Sequence, residues 1–104
     1  MASFLSKLFG AKSTAGANAQ VRGDPVMYEG LSIQAAPVEA EGQWRLAGVI
    51  IKKTEHGDLE RNFLRADLFT SREEAETFAI RKARQIIDEQ GARLFASGES
   101  QGRV

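Results

Sequence analysis

The chain has 104 residues, an apolar fraction of 42%, and fourteen basic side chains balanced by fourteen acidic ones. That length supports one domain at most, and the cancelled charge gives no bulk attraction toward nucleic acid or an anionic membrane. Cysteine is absent, which excludes disulfides, thiolate metal sites and cysteine catalysis and is compatible with a reducing cytoplasm.

The first ten residues, MASFLSKLFG, form an amphipathic arm. On a helical wheel Phe4, Leu5, Leu8 and Phe9 share one arc, with Ser3, Ser6 and Lys7 opposite. Ala17-Asn18-Ala19 mimics a signal-cleavage site, but the apolar run is short and Lys7 interrupts it. A single lysine beside a small apolar patch makes a weak membrane anchor, and no run approaches the roughly 20 apolar residues that span a bilayer. Residues 11–25 are small and polar and read as a flexible linker, because they bury too little to offset their ordering entropy.

Dense patterning begins at Val26. The stretch VMYEGLSIQAA reads as a strand with Leu31, Ile33 and Ala35 on one face and Gly30 as a candidate bulge. Pro37 ends it, and GQWRLAGVIIKKTE is the strongest strand pattern in the chain. A third strand, LERNFLRADLF, follows across a turn placed at His56-Gly57, which would pair Glu55 with Asp58, Lys53 with Glu60 and Ala47 with Ala66. Ser71 and Glu74 then fit a capping box. Ala75, Ala79, Ala83, Ile86, Ile87 and Leu94 recur on one helical stripe, Arg84–Asp88 and Glu89–Arg93 are spaced as i,i+4 ion pairs, and Gly91 stops the helix. Residues 96–104 read as a disordered tail. The expected fold is α+β, a three-stranded antiparallel sheet of order β-β-β-α within residues 26–95, with one C-terminal helix on one face.

The expected register sorts the hairpin into two faces. Ala47, Val49, Ile51, Leu64, Ala66 and Leu68 form one, and its small residues suggest the contact with an alanine-rich helix. The other carries Trp44, Leu46, Ile50, Lys52, Arg61, Phe63, Arg65 and Phe69, together with Gly48 and Asp67, and is left uncovered. An uncovered apolar face marks a binding surface. Self-association, cover by the arm, stacking of single-stranded nucleic acid on the aromatics, and a partner protein adding at the sheet edge all suit it.

Catalytic chemistry is not indicated, and no cofactor is expected. His56, the single histidine, falls at a turn with neither a nucleophile nor an orienting carboxylate in a fixed relation to it. Glu73, Glu74 and Glu76 suit the positive end of the helix dipole, and Arg81, Lys82 and Arg84 suit a solvated helix face.

Three stretches carry a family resemblance: Gly42 to Gly48 (GQWRLAG), Phe63 to Asp67 (FLRAD) and Lys82 to Asp88 (KARQIID). With the arm and the spacer, they make the chain from its start through Phe95 resemble HlyU, a small bacterial family of transcriptional activators. The resemblance implies a regulator of gene expression in a Gram-negative cytoplasm and supplies no DNA-contacting residues. A winged-helix regulator bearing the same name has a different, helix-rich architecture. A helix-turn-helix requires a second helix beside the first, and the sequence offers only one after its strands. A binding regulator is therefore expected, working on DNA or through a partner protein; the alternative is an interaction or homodimerisation module with no nucleic-acid contact.

Overall fold

The computed structural model describes residues 21–104. The arm residues Phe4, Leu5, Leu8 and Phe9 and the linker up to residue 20 lie outside it. The fold is α+β, with a mixed six-stranded sheet rather than the expected three strands. The strands are β1 (Val26–Tyr28), β2 (Leu31–Ala35), β3 (Val38–Ala40), β4 (Gln43–Thr54), β5 (Gly57–Phe69) and β6 (Gln101–Arg103). Helix α1 (Arg72–Gln90) and a 3-10 turn (Gly91–Phe95) come between β5 and β6.

The additional strands arise at two Glu-Gly pairs and in the tail. Glu29 and Gly30 both have positive φ, 52° and 78°, and Glu41 and Gly42 repeat this at 53° and 83°. Left-handed geometry at both central positions defines the type I′ turn, so Tyr28 pairs with Leu31 and Ala40 with Gln43. The single strand expected across Gly30 is therefore the β1–β2 hairpin, and Gly30 is a turn residue rather than a bulge. Both β2 and β3 lie along the same side of β4, interrupted at Ala36-Pro37, where Ala36 N–H still donates to Ala47 O at 2.9 Å. Proline has no N–H with which to continue the ladder.

The β4–β5 turn lies one residue earlier than expected. Thr54 pairs with Gly57 across Glu55-His56, with Gly57 at φ 118°. The Thr54 hydroxyl donates to Gly57 O at 2.6 Å and accepts from His56 N–H at 3.1 Å. The register is accordingly shifted: Lys53 meets Asp58, Val49 meets Asn62 and Ala47 meets Leu64. An irregularity follows, two steps along β4 from Ala47 to Arg45 against four along β5 from Leu64 to Leu68. Beyond it, Arg45–Leu68 and Trp44–Phe69 pair as expected.

Within residues 96–104, expected to be disordered, Gln101–Arg103 form β6, which pairs parallel with β5 from Glu60 to Asn62. Helix α1 matches its sequence signals. Ser71 Oγ accepts from Glu74 N–H at 3.0 Å, Gly91 ends the helix at φ 51°, and Ala75, Ala79, Ala83, Ile86 and Ile87 are buried. The two expected i,i+4 ion pairs do not form as such. Asp88 accepts from Tyr28 OH at 2.7 Å, Arg84 lies over the Tyr28 ring, and Arg93 donates to the Glu89 backbone carbonyl.

The core unites Ile33, Ala35, Leu46, Ile50 and Phe63 of the sheet with Ala79, Ala83, Ile86 and Ile87 of α1 and Leu94 and Phe95 after it. Each large side chain so buried contributes about 1.5–3 kcal/mol from removal of apolar area. The helix therefore covers the face that carries Leu46, Ile50 and Phe63, not the face lined by Ala47 and Val49.

Candidate interaction surface

The two hairpin faces contain the residues expected of them, but the helix lies on the other one. Phe63 is 2% exposed, its ring crossing over Gly48, where a Cβ would come within 2.6 Å of the ring. Leu46 and Ile50 are buried beside it. Phe69 stacks on Phe78 of α1, with ring centroids 5.0 Å apart, and Trp44 is half-buried under the guanidinium of Arg72 at 5.3 Å. Lys52 is exposed near the helix end. The uncovered binding face expected at Trp44 and Phe63 is thus the floor of the core, and α1 already occupies the place proposed for the arm.

Arg61 is 4% exposed and bonded along its whole head. Its Nε donates to Leu94 O at 2.9 Å, Nη1 to Glu60 O at 2.7 Å and Glu99 O at 2.9 Å, and Nη2 to Ser97 Oγ at 3.3 Å. The guanidinium also sits 4.8 Å from the Phe95 ring centroid. Gly102, opposite Arg61 in β6, leaves room for this side chain, since a Cβ there would approach Arg61 Cδ to 3.1 Å. Arg61 therefore ties the tail to the sheet and is not a ligand-facing cation. The arginine alone, with no acid at a telling spacing, gave no sequence signal for that role.

On the opposite face Ala36, Ala47, Val49 and Ile51 are buried, while Met27, Leu64 and Leu68 are exposed. Leu64 and Leu68 are 52% and 48% exposed, and both lie on β5 past the point where β6 stops. Val104 N–H donates to Asn62 O at 2.9 Å, and among the described residues no strand runs on the β6 side of β5 from Leu64 to Phe69. A hollow of about 470 Å³ opens there, lined by Asn62, Phe63, Leu64, Arg103 and Val104. Arg65 and Asp67 stand on the helix side of the same stretch, where they line a smaller cleft with Arg81, Lys82 and Gln85. Arg65 Nη1 donates to Leu64 O and Val104 O, both at 3.1 Å.

Elsewhere the described residues form three ion pairs. Arg22 reaches Glu60 at 3.0 Å, and that hydrogen bond is the main cause of the depressed Glu60 pKa, against desolvation, which raises it. The hydrogen bond to Asp88 raises the Tyr28 hydroxyl above its ordinary value. Lys53 meets Asp58 at 3.6 Å, and Arg72 meets Glu76 at 3.1 Å. A cleft of about 580 Å³ beside the β1–β2 turn mixes Glu29 and Asp88 with Lys52 and Lys53, so it presents no single sign of charge to a ligand. Among the described residues no three His, Cys, Asp or Glu side chains gather as metal ligands, and no helix is long and apolar enough to cross a membrane.

No curated protein and no solved structure matches the chain. A family model described as transcriptional activator HlyU matches residues 3–95, and the chain belongs to that family.

Proposed function

We propose that the chain is a non-enzymatic regulator of gene expression that acts by binding another protein and does not read DNA itself. A cytoplasmic location is part of this reading. The observation that carries it is the use of α1. Its apolar stripe is spent on the sheet, and among the described residues no second α-helix stands beside it to form a helix-turn-helix.

The test is a mobility-shift titration of the full chain on promoter DNA at low salt. The expected result is no retarded species. A shift whose affinity falls steeply with added salt would establish direct phosphate contact and overturn the partner-mediated reading. The alternative, a self-associating module with no nucleic-acid contact, is favoured by the open end of β5.

A further inference from the structure

We propose that β5 pairs antiparallel with β5 of a second copy about a two-fold axis at Ala66, making one continuous sheet across a homodimer.

Four observations converge on this axis. The first is the direction of the backbone. Glu60 N–H and Asn62 O are the groups that bond to the β6 side. Strand alternation turns the N–H and C=O of Leu64 toward the same side. Leu68 keeps that side across the irregularity, because Leu64 and Leu68 both pair with odd-numbered β4 residues, Ala47 and Arg45, and Ala66 lies midway between them without a β4 partner. A two-fold axis at Ala66 sets Ala66 against Ala66 and Leu64 against Leu68 as hydrogen-bonded pairs.

The second is charge. Antiparallel pairing about Ala66 sets Arg65 opposite Asp67 of the other copy, twice by symmetry. Sheet edges are commonly protected by like charges that repel a second strand. Here opposite charges stand two positions apart, the spacing at which a strand attracts its own antiparallel copy.

The third is apolar complementarity. Leu64 and Leu68 are among the exposed large apolar residues of the described chain, and the same axis buries each against the other. The hollow lined by Asn62, Phe63, Leu64, Arg103 and Val104 lies where Leu68 of the second copy would enter. The fourth is length. β6 pairs with Glu60 to Asn62 and β5 ends at Phe69, so the segment that has no strand on its β6 side among the described residues accommodates this pairing and no longer one. Ala66, at the axis, is small enough for its own symmetry mate to fit.

The proposal is independent of the regulatory reading, since it concerns the chain alone and is measured without promoter or partner. Sedimentation of the full chain should give twice the 11.4 kDa chain mass at high concentration and dissociate on dilution. A single-chain mass at every concentration overturns the proposal. Asp67→Arg sets like charges across the axis and should weaken the dimer at least about tenfold. The paired exchange Arg65→Asp with Asp67→Arg should restore it, and a dimer indifferent to Asp67→Arg overturns the assignment. Because the exchange also removes the Arg65 contacts with Val104, a second route is needed. Hydrogen-bonded antiparallel partners have Cα atoms about 5.5 Å apart, within disulfide range. In a chain without cysteine, Ala66→Cys should therefore oxidise to a linked dimer, and Glu89→Cys on the helix should not. Failure of Ala66→Cys to crosslink, or equal crosslinking at Glu89, overturns the two-fold axis.

Discussion

Phe63 and Leu64 are neighbours in sequence, yet one is sealed in the core and the other is half in water. The sheet faces they stand on are both apolar. The helix takes the face of Phe63, Leu46 and Ile50, and the reason is volume. Its stripe runs Ala75, Ala79 and Ala83 before reaching the isoleucines, so it offers shallow ground for large side chains from the sheet. Small set against small would leave a gap, whereas large set into small fills the layer at the density of a protein interior. Gly48 extends the same logic within the sheet by giving the Phe63 ring somewhere to lie.

That contrast can be broken at its strongest point. Phe63→Ala should cost about 3–5 kcal/mol in chemical denaturation, from lost transfer energy and the cavity left over Gly48. Leu64→Ala should change monomer stability by no more than about 0.5 kcal/mol, as expected of a surface position. Equal losses at the two sites would mean that both faces are packed.

A smaller effect is expected where the tail meets the covered face. Arg61→Met keeps an apolar stem but leaves Leu94 O and Glu99 O without their donor, at a cost of about 1–3 kcal/mol. Amide exchange should show β6 and the segment after Phe95 loosening first, while the centre of α1 stays protected. Uniform loss of protection would place Arg61 in the general core instead.

The smallest effect belongs to Glu60, which points to the face opposite α1. Its folded pKa lies below the ordinary value because Arg22 donates to it. A depressed carboxylate contributes stability above its unfolded pKa and loses that contribution as pH falls through the folded value. The Arg22 tie should therefore weaken only in acid, below the usual glutamate range, and Glu60→Gln should remove that dependence. A Glu60 carboxyl titrating at or above its ordinary value by NMR would contradict the pairing.

Much of this was legible in the sequence, for physical reasons that differ by element. Helix α1 announced itself through Ser71, Gly91 and a stripe of consistent period, all local signals. The sorting of hairpin residues into faces survived a misplaced turn because the register moved by an even number, which leaves side-chain parity intact. The Glu29-Gly30 and Glu41-Gly42 turns were hidden, since glutamate is not a residue that enters left-handed geometry readily. Their repetition was the available clue. Strand β6 was hidden because Gln101–Arg103 has no pattern of its own and is held by a parallel pairing and by a side chain some forty positions earlier. The covered face was misjudged by matching small residues to small ones.

Trp44 is the single tryptophan of the chain, and it sits where β4, the end of β5 and the start of α1 meet, beneath Arg72. Its emission is consequently a one-site optical record of whether the helix is seated on the sheet. The edge of β5 proposed to pair with a second copy is the one turned away from β4 and Trp44, so a change in fluorescence and a change in mass report different contacts. Dilution that halves the mass while leaving the tryptophan spectrum in place would separate partner loss from unfolding without any added label.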